Sequence, residues 1–376
     1  MRLELPVPAD ILEAIRAPFL AVPATVLDAP ILQPLGLLLD LAGETLRERL
    51  FVVRGDGPEA CLRPDFTVPA LRAHLATGAP SGRYVYSGHA FQVAARGAER
   101  AEEFPQIGVE AFEPGDSAEA DAEMAALAWR AAKAGGRDDL TLLMGDVALF
   151  GDFVDALALA PPLATRLKRA FSTPRRLRAE LVATADVGQA TAGGRLASLL
   201  SGLSESGAAG VLEEIWFLAG VQPVGGRSAA EIVHRLAERA ALAAAPRLTP
   251  GQAELTRRFL DIAGGPTESL AAVGELVGGH SQALAAAAEA WRRRLASLIK
   301  AGVPTDRIRF SAAFGRAFGY YDGVLFEVRS AALGDDQPVA AGGRYDNLPA
   351  RLGAGLATGA VGCMVRPGRA WVQGQP

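Results

Sequence analysis

The chain has 376 residues, with 38 Lys+Arg against 42 Asp+Glu, a formal net charge of −4, 50% hydrophobic residues and 21% charged ones. So much apolar content excludes a disordered chain, and the near balance of charge argues against a broad basic surface for nucleic acid, which needs clustered Lys and Arg. Length alone suggests two or three structural units.

The opening MRLELPVPADILEA has no apolar core, so no signal peptide is expected. Asp10 is placed to cap the helix ILEAIRAPFLAV. ATVLDAPIL reads as a strand ending at Pro30. LQPLGLLLDLAG is the most apolar run, but Pro34 and Asp40 break it, and no run reaches the roughly 18 residues of a membrane span. FVVRGDGPEACLRP predicts two short strands around the turn Gly55-Asp56-Gly57, and Thr67 is the expected cap of the helix VPALRAHLA. RYVYSGHAFQV and FPQIGVEAFEP are strand-like, joined by the charged ARGAERAEE. Residues 118–134 predict a helix stopping at Gly135-Gly136, followed by the strand DLTLLMGD.

Residues 151–304 read as helical, with breaks at Pro161-Pro162, Gly193-Gly194, Gly225-Gly226, Pro250 and Gly264-Gly265. RIRFSAAF, YYDGVLFEV and PVAAGG then return to strands. Consecutive strands without alternating helices predict an α+β fold with an antiparallel sheet. Residues 1–150 and 305–376 would form that discontinuous domain, and 151–304 a helical insertion.

FPQIGVEAF carries the most chemistry. Strand alternation puts Phe104, Gln106, Gly108, Glu110 and Phe112 on one face and Ile107, Val109 and Ala111 on the other. An amide and a carboxylate flanking a strand glycine suit a small polar or cationic ligand, although an exposed sheet face would show the same pattern. CLRPDFT sets Arg63 and Asp65 beside Thr67 at a strand-to-helix junction, either a ligand site or an internal Arg–Asp pair with a capped helix. FGRAFGYYDGVLFEV offers Arg316 for a carboxylate and Tyr320 or Tyr321 for a pocket wall; adjacent strand residues face opposite ways, so one tyrosine at most should line it. Gly342-Gly343 permit close backbone approach. The cysteines, Cys61 and Cys363, lack CxxC spacing, and the four histidines lack HxxxH or HExxH spacing, so neither a metal site nor a cofactor is expected. Reduced thiols point to a cytoplasmic setting.

In this order the segments resemble the catalytic domain of class II aminoacyl-tRNA synthetases, and histidyl-tRNA synthetase in particular. VLDAPIL is similar to motif 1, YVYSGHAFQ with FPQIGVE to motif 2, RAFGYYDGVLFE to the histidine-specific RGLDYY segment, and AAGGRYDNL with TGAVGCMV to the start of motif 3. CLRPDFT is similar to the synthetase LRPEGT segment.

The departures from that pattern are specific. Gln92 stands where the synthetase has the arginine that binds the ATP α-phosphate, and a neutral amide cannot supply that charge. Arg369 stands where the ATP-stacking arginine would be, but Pro367 and Gly368 are expected to disfavour its helix. The sequence ends about ten residues after motif 3, so the synthetase's anticodon-binding domain is not expected. A synthetase fold that keeps the amino-acid pocket and loses ATP and tRNA resembles the regulatory subunits of ATP phosphoribosyltransferase from short-form systems.

That resemblance implies a non-catalytic, histidine-sensing chain that works with a short-form catalytic subunit in the first step of histidine biosynthesis, as a homodimer within a hetero-octamer and without tRNA. Residue by residue, it implies that Asp65 and Gln106, with Thr67, hold the α-amino group of L-histidine. Glu110 accepts from the imidazole, Tyr320 or Tyr321 closes over the ring, and Arg316 pairs with the α-carboxylate. Asp65 is one methylene shorter than the synthetase glutamate, and Gly319 replaces an aspartate. The competing expectation is a minimal ligase that adenylates histidine or a related amino acid.

Overall fold

The structure, a computed structural model, describes residues 4, 6–42, 44–55, 57–94, 100–182, 205–219, 229, 233, 247–276, 278, 281–315, 319–353 and 359–372. Its strands are β1 (Thr25–Val26), β2 (Leu32–Pro34), β3 (Val52–Val53), β4 (Ala60–Leu62), β5 (Gly82–Phe91), β6 (Glu103–Phe112), β7 (Leu140–Asp146), β8 (Ala263–Gly264), β9 (Ile308–Ser311), β10 (Val324–Ser330), β11 (Ala340–Arg344) and β12 (Ala360–Val365). The helices in chain order are α1 (Ala9–Leu20), α2 (Leu35–Ala42), α3 (Thr67–Thr77), α4 (Ser117–Ala134), α5 (Val147–Ala156), α6 (Pro161–Ala170), α7 (Pro174–Val182), α8 (Glu205–Ala219) and α9 (Pro250–Leu260). They continue as α10 (Pro266–Leu276), α11 (Gln282–Lys300), α12 (Asn347–Arg351) and α13 (Pro367–Ala370). None of the described helices is long and apolar enough to cross a membrane.

Two compact units divide the chain: residues 1–152 with 259–376, and residues 153–258. The first is built on a nine-stranded sheet of order β1-β5-β6-β12-β11-β10-β7-β9-β8, with a separate three-stranded sheet β2-β4-β3. The α+β class holds, but the large sheet is mixed. β1 runs parallel to β5 and β7 parallel to β9, while the other pairings are antiparallel. Four residues of β9 follow the long helix α11, and such a crossover returns the chain parallel to β7.

The helix α4 packs against β11 and β12, and α11 packs against α4. One buried carboxylate ties these layers: Asp121 on α4 accepts from Arg294 on α11 at 2.7 and 3.1 Å and from Arg344 on β11 at 2.8 Å. On the same helix, the Trp291 indole donates to Asp146 at the end of β7 at 2.8 Å and meets Phe310 of β9 edge-on. These contacts hold α11 in the sheet-bearing unit. The separate helical unit therefore ends at Arg258, earlier than the expected boundary at 304.

The unit 153–258 carries short amphipathic helices. Leu163 and Leu167 of α6 and Leu177 and Leu181 of α7 are buried, and Arg166 pairs with Glu180 across them at 2.8 Å. Pro161-Pro162 and Pro250 open α6 and α9 instead of breaking a helix, as the missing N–H is harmless in a first turn. Gly264 lies in β8, and Gly193-Gly194 and Gly225-Gly226 fall outside the described residues. Asp10 sits inside the first turn of α1, where Pro8 is the cap residue. The strand read through Pro30 shortens to Thr25–Val26.

Candidate functional site

Two neighbouring strands create the floor of a cavity of about 530 Å³ in the sheet-bearing unit. Alternation along β6 brings Phe104, Gln106 and Glu110 to the cavity, as the pattern predicts, and Gln106 and Glu110 are each 2% exposed. The polar face is thus a buried pocket wall and not a solvated sheet surface. Gly108 between them is crowded by the Tyr86 hydroxyl and the Cys363 carbonyl, with Tyr86 opposite it in register on β5. The close approach that a strand glycine signals is made here by an aromatic ring of the protein.

Glu110 anchors a hydroxyl network. The Thr67 hydroxyl donates to its Oε1 at 2.8 Å, the Tyr345 hydroxyl donates to its Oε2, and the Tyr86 hydroxyl lies 3.5 Å from Oε1. Burial pushes the Glu110 carboxyl up to about 8, against the downward pull of the Tyr345 and Thr67 hydrogen bonds. Gln106 has no such partners: its buried Oε1 accepts no hydrogen bond from the protein. An acceptor left unmatched in a dry site costs about 1–3 kcal/mol, which a donor from a ligand recovers.

The start of α3 supplies the next wall. Thr67 is the first residue of α3 and spends its hydroxyl on Glu110, so it does not cap the helix; Asp65 Oδ1 accepts the Thr67 N–H at 3.1 Å instead. Arg63 does not pair with Asp65. Its guanidinium donates to the carbonyls of His89 and Ala29 and lies 4.1 Å over the Phe66 ring. Both Tyr320 and Tyr321 line the cavity, with ring centroids 4.8 Å apart, and the Tyr320 hydroxyl donates to Asp65 Oδ2 at 3.3 Å. They precede β10, so strand alternation does not separate them. Arg316 lies outside the described residues.

Asp65, Thr67, Gln106, Glu110, Tyr320 and Tyr321 therefore surround one space. Sequence reasoning missed Tyr86 and Tyr345. The pairing of Tyr86 with Gly108 is a large-opposite-small signal, but it becomes visible only once the strand register is known. Tyr345 follows β11 directly, and nothing local marks it as a partner of Glu110.

Gln92, Arg366 and Arg369 line the same cavity. Gln92 is committed to the protein: its Nε2 donates to the Pro64 carbonyl at 2.9 Å and its Oε1 accepts from Arg49 at 3.0 Å. The helix expected to fail does form, as the four residues of α13, with Pro367 in its first position. Arg369 on that helix donates to the Pro338 carbonyl at 2.9 Å.

The sheet, its order and this cavity define a histidyl-tRNA synthetase-like protein. The histidyl-tRNA synthetase family model matches residues 26–224 and 205–367. Among solved structures, a protein of Bacillus halodurans described as an ATP phosphoribosyltransferase regulatory subunit/histidyl-tRNA synthetase superposes with a TM-score of 0.64 at 20% identity, covering 99% of this chain and 82% of that one. The histidyl-tRNA synthetase of Nostoc sp. superposes with a TM-score of 0.60 at 15% identity, covering 98% and 74%.

Sequence relatives narrow the class. The chain is 34% identical over 338 residues to the ATP phosphoribosyltransferase regulatory subunit of Brucella anthropi, with 88% of each covered. It is 33% identical over 360 residues to that of Brucella canis, with 94% of each covered. The chain belongs to the ATP phosphoribosyltransferase regulatory subunit family.

Proposed function

We propose that this chain is the non-catalytic regulatory subunit of a short-form ATP phosphoribosyltransferase and that it senses L-histidine in the cavity described above. The observation that carries the reading is the buried, unmatched Oε1 of Gln106 facing the same space as Asp65 and Glu110. An α-ammonium supplies donors to Gln106 and charge to Asp65. An imidazole N–H reaches Glu110, with Thr67 fixing that carboxylate and Tyr320 and Tyr321 flanking the ring. Arg316, by family resemblance, takes the α-carboxylate.

Loss of nucleotide chemistry is supported by Gln92, whose amide is neutral and already bonded to Pro64 and Arg49. Histidine acts by binding two states of the complex unequally, with a coupling of about 1–3 kcal/mol between its site and the catalytic subunit. The self-association surface is the motif 1 region, where Val26, Ile31 and Leu32 are unusually exposed for large apolar residues. A homodimer there, assembled with catalytic subunits in a hetero-octamer without tRNA, completes the cytoplasmic complex.

The test is calorimetric titration of the purified chain with histidine, alone and with the short catalytic subunit. Histidine binding and a histidine-dependent change in phosphoribosyl transfer are the expected results. Absence of any histidine response in both settings refutes the reading.

A further inference from the structure

Arg63 is a buried cation outside the cavity lining. It is 6% exposed, and burial pulls its guanidinium down from the ordinary arginine range, against the upward pull of Asp28. A cation that dry is costly unless its donors are matched. Its Nε donates to the His89 carbonyl at 2.7 Å, and its Nη1 donates to the Ala29 carbonyl. The main chain repeats the tie. The Arg63 N–H donates to the Ile31 carbonyl at 2.8 Å, and the Arg63 carbonyl accepts from the Phe91 N–H at 3.0 Å. Arg63 is thus pinned between the end of β5 and the chain just before β2.

From that anchor a column of rings leads to Glu110. The guanidinium lies 4.1 Å from the Phe66 ring centre, and the Tyr86 ring stacks 4.3 Å from it, 4° from parallel. Two flat groups so near one ring cannot share a face, so Phe66 is held between them. Tyr86 in turn sets its hydroxyl 3.5 Å from Glu110 Oε1. Glycines make both ends of the column possible. A Cβ on Gly88 would stand 2.7 Å from Arg63 Nη2 and 3.1 Å from Phe66 Cζ, and a Cβ on Gly108 would collide with the Tyr86 hydroxyl. Gly88 pairs with Gln106 and Tyr86 with Gly108, so the column is built into the two strands that floor the cavity.

We propose that Arg63 is a positioning residue for the histidine pocket, acting through the Phe66 and Tyr86 rings to set the Tyr86 hydroxyl against Glu110. Its bearing on histidine rests on the function proposed above; its action on Glu110 does not. The groups facing Glu110 are Asp65 and Thr67 at the start of α3, Tyr86 on β5, Tyr320 before β10, Tyr345 after β11 and Cys363 on β12. Of these, the hydroxyls of Tyr345, Thr67 and Tyr86 favour the ionised carboxylate. Loss of the Tyr86 contact therefore moves the Glu110 carboxyl further up.

The experiment follows denaturant midpoints of the full chain from about pH 5 to 10 without ligand, with Glu110→Gln as the baseline. In wild type the stability contributed by Glu110 falls with rising pH up to about 8. Tyr86→Phe should extend that fall upward by about half a pH unit. Arg63→Met should extend it equally. So should Arg63→Lys, which keeps the charge but lacks the fork that spans two carbonyls. Gly88→Ala pushes the guanidinium aside without removing it, and decides the matter if the Arg63 variants fold poorly. Adding Tyr86→Phe to any of these should give no further shift, because all act through one hydroxyl. Histidine titration should show about a fivefold loss of affinity in each single variant, the worth of one hydrogen bond, and no more in the doubles. No shift in Tyr86→Phe, a wild-type limit in Arg63→Lys, additive shifts in the doubles, or full histidine affinity in the Arg63 variants overturns the proposal. A wild type that shows these shifts yet binds no histidine refutes the histidine pocket and leaves the action of Arg63 on Glu110 standing.

Discussion

Gly362 on β12 lies directly opposite Glu110 on β6, and any Cβ at Gly362 would collide with the Glu110 carboxylate. The glycine is what allows a full-length acid to fold over the neighbouring strand and reach the Tyr345 and Thr67 hydroxyls. Gly362→Ala should therefore dislodge Glu110, weaken histidine binding by at least tenfold, and destabilise the chain by about 1–3 kcal/mol through overpacking. Calorimetry and urea denaturation of the same variant check both effects. Unchanged histidine affinity would separate Glu110 from the ligand.

The raised carboxyl of Glu110 predicts a pH dependence of stability with a definite sign. Below pH 4.5 both the folded and the unfolded chain hold this proton. Between 4.5 and about 8 the unfolded chain has released it and the folded chain has not. Stability from this group therefore falls as pH rises through that window, at up to about 1.4 kcal/mol per pH unit, and levels off above it. Glu110→Gln should remove that slope while the rest of the profile persists. Denaturant midpoints at pH 5, 7 and 9 for both proteins decide it; parallel profiles would show that Glu110 is ionised in the folded chain throughout.

Gln106 separates binding from stability. Its Oε1 is buried and unmatched, so Gln106→Leu removes an unsatisfied acceptor and should leave stability unchanged or raise it by about 1 kcal/mol. The same substitution should cost histidine at least tenfold in affinity, since the ligand's ammonium loses its acceptor. A variant that loses stability and keeps its histidine response would contradict the role proposed for this amide.

What the sequence disclosed depends on the range of the interaction. The shared face of Gln106 and Glu110 follows from a two-residue period within one strand, and it needs no tertiary information. The paired tyrosines were misjudged because Tyr320 and Tyr321 lie in the turn before β10, where that period does not apply. Tyr345 and Glu110 are 235 residues apart in sequence, and Glu4 and Arg366 are 362 apart. Local pattern carries no trace of either pair. The boundary at Arg258 was equally hidden, because α11 has the composition of the insertion that precedes it. The buried contacts of Arg294 and Trp291 help assign it to the sheet-bearing unit.

Gln92 offers the sharpest test of why the synthetase chemistry is absent. Restoring the synthetase charge with Gln92→Arg would set a second guanidinium where Arg49 now donates to the amide, and would give up the hydrogen bond to the Pro64 carbonyl. Pro64 immediately precedes Asp65, so that bond braces the wall of the proposed amino-group site. Loss of one such hydrogen bond costs about 1 kcal/mol, which corresponds to roughly a fivefold loss of histidine affinity. Gln92→Ala should show that loss alone. Gln92→Arg should show at least as much, and it should produce no histidine-dependent exchange of pyrophosphate into ATP. Exchange activity in Gln92→Arg would mean that a single neutral side chain separates this chain from a ligase, and exchange in the wild type would establish the ligase outright.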